Sequence, residues 1–89
     1  MSELNSRFED AVEQSKQLTK RPDNETLLKL YSLYKQATEG DIPENTEKPG
    51  MFDFVAAAKY NAWKGLTGLD SDDAKNQYIE IFEGLKAKG

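Results

Sequence analysis

LYSLYKQATEGD, residues 30–41, carries two signals at once. Tyr31, Tyr34 and Lys35 stand at i, i+3 and i+4, so on a helix they share one face. Leu27, Leu28, Leu30 and Leu33 are the leucines that a helix of a small domain turns inward. Asp23 or Asn24 offers a cap and Gly40 a stop, which predicts a helix over about 25–39. The stretch is therefore helical, and its stripe of two hydroxyls and an ammonium needs an explanation of its own.

Three further helices surround it. Upstream, Phe8, Ala11, Val12 and Leu18 fit a 3.6-residue period, Ser6 with Glu9 reads as a capping box, and KRPD at 20–23 ends the segment. Downstream, GDIPENTEKPG is longer than most helix–helix connections, so it is expected to cross the bundle. A third helix over roughly 52–66 carries Phe54, Ala58, Ala62 and Trp63, with Gly65 weakening its last turn and Gly68 ending it. Asp70 caps a fourth, whose apolar stripe is Ala74, Tyr78, Ile81, Phe82 and Leu85, and whose end suits Lys86 and Lys88. No stretch alternates with period two. The class is all-α, with four helices and a long crossover loop between the second and third.

Composition removes whole categories of function. The chain has 89 residues, the size of one domain whose core is modest, and neither cysteine nor histidine. A disulfide staple, a structural zinc site and the familiar thiol or imidazole catalysts are thereby excluded. The 16 acidic residues outnumber the 12 basic ones, and the net charge is −4, which argues against nucleic acid as a partner. No apolar run approaches the roughly 20 residues of a membrane span. The opening MSELNSRFEDAVEQ lacks the regions of a signal peptide, so a soluble intracellular protein is expected. LDSDDAKNQY at 69–78 departs from a calcium loop, with Lys75 where glycine belongs and Ile81 where the closing glutamate belongs. There is no glycine-rich phosphate loop, no metal site and no sign of an enzyme.

Two readings of the tyrosine–lysine stripe remain. In one, the rings border the core with wet hydroxyls, and Lys35 lays its stem over apolar surface. In the other, tyrosine offers a flat face to a base and lysine offers donors to phosphate oxygens. Leu27 and Leu28 beside them form an apolar groove, and Lys59, in AAAKYNAW at 56–63, completes the phosphate pocket from another helix. Spacing alone does not choose between them.

YSLYKQATEGD, then EKPG, AKYNAW and DDAKNQYI, in this order over about residues 8–85, resemble the acyl-CoA-binding protein family. The resemblance implies a single acyl-CoA-binding domain over 1–89, an up-down-down-up four-helix bundle. It would bind long-chain acyl-coenzyme A thioesters without catalysis or cofactor. Tyr31 is then expected at the adenine and ribose-phosphate end. Lys35 would pair with phosphates, and Lys59 would clamp the 3′-phosphate. Tyr78 would close the nucleotide pocket, Lys16 would contact the ligand, and Ala11 would let the adenine pack closely. Leu27, Leu28 and Tyr34 would line the path of the acyl chain. The chain departs from the family pattern at Val55 and Ala57, where basic residues are common, at Tyr60, where tryptophan is usual, and in a longer crossover loop around 43–46. Trp63 reads as a core aromatic. A monomeric cytoplasmic carrier or pool former is expected, touching acyl-CoA-using enzymes or membranes only transiently. The rival is a helical protein–protein interaction module using the same Tyr/Leu surface; a membrane-surface helix is weaker, since no segment pairs a strongly basic face with a large apolar one.

Overall fold

Three of the four helices begin behind an aspartate. The computed structural model describes residues 3–18 and 22–88. It holds α1 (Glu3–Ser15), α2 (Asn24–Glu39), α3 (Phe54–Lys64) and α4 (Ser71–Lys88), with no strand among the described residues. Asp23 accepts from the Thr26 amide at 2.7 Å, Asp53 from Ala56 at 3.2 Å and Asp70 from Asp72 at 3.3 Å. Each bond satisfies an amide that the first helical turn leaves without an internal partner. Gly40 ends α2 with φ 80°, and its amide donates to the Gln36 carbonyl at 3.1 Å.

Two boundaries differ from expectation. α1 begins at Glu3, so Ser6 lies inside it and the capping box does not form. Leu4 packs against the core beside Phe8 and Val12, which draws the helix one turn further out. α3 is shorter than 52–66 because Asp53 caps it, leaving Phe52 outside. At its other end the chain tightens after Lys64, with Leu66 and Thr67 bonding three residues back, until Gly68 turns it at φ 92°. The stop assigned to Lys20 and Arg21, and the side chain of Lys88, lie outside the described residues.

Contacts along the helices give their directions. Asn5 bonds Lys75 near the start of α1, and Phe8 meets Tyr78 edge-on, so α1 and α4 run together. Gln36 near the end of α2 reaches Leu69 ahead of α4, while Tyr31 and Tyr78 share a cavity, so those two helices are antiparallel. Tyr31 meets Lys59 and Lys35 meets Trp63, so α2 and α3 are parallel. The order is up-down-down-up. A parallel pair obliges the 40–53 connection to return along a helix about 24 Å long at 1.5 Å per residue, which accounts for its length.

The core joins Phe8 and Ala11 of α1, Leu30, Leu33 and Ala37 of α2, and Ala74, Tyr78, Ile79 and Phe82 of α4. Ile79 is buried where the sequence pattern favoured Ile81 and Leu85, which are only partly covered. Trp63 is the buried residue of α3, and its Nε1 donates to the Gly40 carbonyl at 2.9 Å. Phe54, one of the apolar residues that the third helix carries, is 75 % exposed. Gln36, 1 % exposed, donates through Nε2 to Asp41 at 2.7 Å and to the Leu69 carbonyl at 2.8 Å. The same Asp41 oxygen accepts the Gly68 amide at 2.9 Å. These bonds knot the end of α2 to the α3–α4 connection. The Cα trace measures 37 × 30 × 15 Å. On Cα atoms a helix is about 4.6 Å across and packed axes lie about 8–10 Å apart, so the thin dimension holds two layers of helices.

Candidate ligand site

The parallel pairing of α2 and α3 sets steps of four residues face to face. Leu27, Tyr31 and Lys35 climb one helix; Val55, Lys59 and Trp63 climb the other. Four residues advance each helix by about 6 Å, so partners stay in register. The Lys59 ammonium lies 5.2 Å from the Tyr31 ring centroid, and the Lys35 ammonium 5.5 Å from that of Trp63. Cation and aromatic thus exchange helices from one step to the next.

Two cavities meet at this seam. One, of about 590 Å³, lies between α2 and α3 and is lined by Leu27, Leu28, Tyr31, Phe54, Val55, Ala58 and Lys59, with Asn24 at its edge. The second, of about 420 Å³, lies where the end of α1 approaches α2 and α4; Lys16, Leu27, Tyr31, Tyr34 and Tyr78 line it, beside Val12, Ser15 and Leu30. Leu27 and Tyr31 belong to both walls, so the cavities adjoin across them.

The walls differ in what they can hold. Tyr78 is buried, packs edge-on against Phe8 with centroids 5.3 Å apart, and places its hydroxyl 3.1 Å from Ser15 Oγ. Because Ser15 gives its own proton to the Val12 carbonyl at 2.7 Å, the phenol is the donor between them. Tyr34 stacks on Phe8 at 6.1 Å and stays exposed. Lys16 is an exposed cation, 3.9 Å from Glu13. Lys35 lies near the seam but outside both linings: its ammonium donates to Glu39 at 2.6 Å. That bond, with the charge of Glu39 behind it, holds Lys35 above its usual pKa against the lowering effect of burial.

Ala11, expected to pack against the adenine, lines neither of these two cavities. It is buried in the core, and the cleft it borders faces Ile79 and Phe82 of α4 on another side of α1. The next residue is turned by about 100°, and Val12 is the side chain that reaches the Tyr31–Tyr78 cavity. Val12, Ser15, Phe54, Val55 and Ala58 line the cavities in addition to the residues expected there. Phe54 and Val55 stand four residues before Ala58 and Lys59, a spacing that already marks one face.

Chemically, the seam offers two free or exchangeable ammonium groups, a flat aromatic face and an apolar trough leading away from them. Such a set suits an anion joined to an apolar tail. Among the described residues, no three His, Cys, Asp or Glu side chains converge to hold a metal, and no helix is long and apolar enough to cross a membrane.

Residues 5–82 match the family described as acyl CoA binding protein. The acyl-CoA-binding protein of Dictyostelium discoideum is 46 % identical over 81 residues, covering 91 % of this chain and 94 % of that one. Enoyl-CoA delta isomerase 2 of Rattus norvegicus is 48 % identical over 80 residues, 90 % of this chain but 20 % of the isomerase, so its catalytic name carries nothing over. The crystal structure of acyl-CoA-binding protein 2 from Oryza sativa superposes with a TM-score of 0.88 at 36 % identity, covering 96 % of this chain and 90 % of that chain.

Proposed function

The chain belongs to the acyl-CoA-binding protein family, and on that premise we propose that it binds long-chain fatty acyl-CoA thioesters without chemical change, as a monomeric cytoplasmic carrier or pool former. The observation that carries this reading is the meeting of Lys59 and Tyr31 at the wall shared by the two cavities. A nucleotide is held on the Tyr31, Tyr78 and Lys16 side, its phosphates by Lys59 and Lys35, and the acyl chain runs along Leu27 and Leu28. Tyr34 borders the nucleotide side in this arrangement, apart from the acyl trough.

A protein of net charge −4 repels coenzyme A at long range, so the lysines must act at contact. Each charge-assisted hydrogen bond contributes about 1.5–3 kcal/mol. Each methylene fully buried contributes about 0.8 kcal/mol. The tail of a 14- to 18-carbon chain, on the order of 10 kcal/mol, is therefore the larger reservoir, yet neither it nor the anchor alone suffices against the cost of immobilising a flexible ligand.

Calorimetric titration of the delipidated protein tests this, using palmitoyl-CoA below its micelle concentration with coenzyme A and palmitate as controls. Tight one-to-one binding of the thioester alone is expected. Palmitate binding as tightly as palmitoyl-CoA would defeat the proposed division of labour, and no binding at all would point to a protein partner on the same surface.

A further inference from the structure

Val12, Ser15 and Tyr78 form a chain of hydrogen bonds whose direction is fixed from one end. The Val12 carbonyl only accepts, so the Ser15 hydroxyl 2.7 Å away gives its hydrogen there. The Tyr78 hydroxyl, 3.1 Å from Ser15 Oγ, then donates to the serine, because lone pairs facing each other would repel. With its single hydrogen engaged, the phenol oxygen has only acceptor capacity left. All three residues line the cavity at the end of α1, so the hydroxyl pair belongs to its wall. Ser15 is the last residue of α1 and half-buried, a position the fold could fill with alanine.

An acceptor in that wall sorts what can lie against it. Ionised phosphate offers oxygens alone and is disfavoured there; Lys59, across Tyr31 in the adjoining cavity, suits it. A ribose hydroxyl donates or accepts and is not sorted. The 6-amine of adenine donates.

We propose that Ser15 is a positioning residue. By holding the Tyr78 hydrogen it makes that hydroxyl an acceptor toward the ligand, which selects a base with an exocyclic amine and points the phosphates away, toward Lys59. The inference rests on the acyl-CoA reading and adds to it the residue that orients the base.

The full chain is titrated with palmitoyl-CoA and with its hypoxanthine analogue, in which a carbonyl replaces the 6-amine, each below its micelle concentration. The unsubstituted protein is expected to prefer the amine by about tenfold, the difference one hydrogen bond makes. In Ser15→Ala the phenol can turn its hydrogen into the cavity and pair with the carbonyl, so the preference falls to about twofold or less. Ser15→Thr keeps a hydroxyl that can bond the carbonyl three residues back, and keeps the preference. The ratio is taken within each protein, so a variant that binds both esters less tightly is still informative. Equal affinities in the unsubstituted protein, or a ratio that Ser15→Ala leaves unchanged, overturn the inference while the acyl-CoA reading stands. Loss of the ratio in Ser15→Thr as in Ser15→Ala overturns it too, since packing and not the hydroxyl is then responsible. If neither ester binds the unsubstituted protein, the acyl-CoA reading falls and takes this inference with it.

Discussion

The Lys59 ammonium of α3 lies 5.2 Å from the centroid of the Tyr31 ring of α2. Lys59 is exposed, and an exposed cation–π contact contributes only about 0.5–1 kcal/mol, so the pair is a weak brace for the fold. On the proposed function its worth lies in holding an ammonium at the α2–α3 cavity, over the ring that both cavities share. Lys59→Ala is expected to weaken palmitoyl-CoA binding by about 1–3 kcal/mol while the thermal midpoint moves little. Lys59→Met keeps the stem and loses the charge, so it should lose nearly as much. Calorimetry and thermal melts on the same samples decide the matter; extensive unfolding of either variant would make Lys59 a structural residue.

Lys35 presents the opposite situation, an ammonium already engaged. Glu39 holds it at 2.6 Å, and a phosphate must compete for the same donors. Glu39→Gln removes the competing charge, so palmitoyl-CoA should bind more tightly, by up to about fivefold, matching the roughly 0.2–1 kcal/mol of an exposed pair. The melting temperature should drop slightly, since an i,i+4 pair on a helix contributes only about 0.3–0.5 kcal/mol. A weaker complex would mean that Glu39 orients Lys35 and does not compete for it.

The fold was largely legible from punctuation. Asp23, Gly40 and Asp70 mark real helix ends because capping is local chemistry that a sequence displays directly. The start of α1 was not, since what extends it past Ser6 is Leu4 reaching a core made by α2 and α4. In the site, the stripe of Tyr31, Tyr34 and Lys35 follows from helical spacing alone. That Lys59 arrives opposite Tyr31 depends on α2 and α3 running parallel, which spacing within one helix cannot express. Ala11 shows the same limit at finer scale. A single residue's rotation separates it from Val12, and only the packing of α1 on α4 decides which of the two meets the cavity. The stretch 30–41 also divides in role: Gln36, Gly40 and Asp41 tie helices together, Tyr31 and Tyr34 line a groove, and Lys35 pairs with Glu39 beside it.

Tyr78 joins core and cavity, and two substitutions separate the roles. Tyr78→Phe deletes only the hydroxyl bond to Ser15 and is expected to cost about 0.5–1.5 kcal/mol in urea unfolding. Tyr78→Ala also removes the ring that packs on Phe8 and should cost about 3–5 kcal/mol. Equal losses from the two would show that the ring contributes little to the core.

Asp41 gives the fold an acid-side dependence on pH. The Gly68 amide, and after it the Gln36 side chain, hold its carboxyl below the ordinary value of 3.8. A carboxyl depressed in the folded state binds fewer protons there than in the unfolded chain, so stability rises with pH across that range. Its contribution is complete above the ordinary value and disappears as pH falls through the lower, folded one. Asp41→Asn keeps an oxygen for both donors and loses only the charge. The stability gap between the two proteins, measured by urea unfolding, should therefore be widest near neutrality and close as pH drops below 3.8. A gap of constant width through the acid range would assign the knot's strength to its geometry, with no share for the carboxylate's charge.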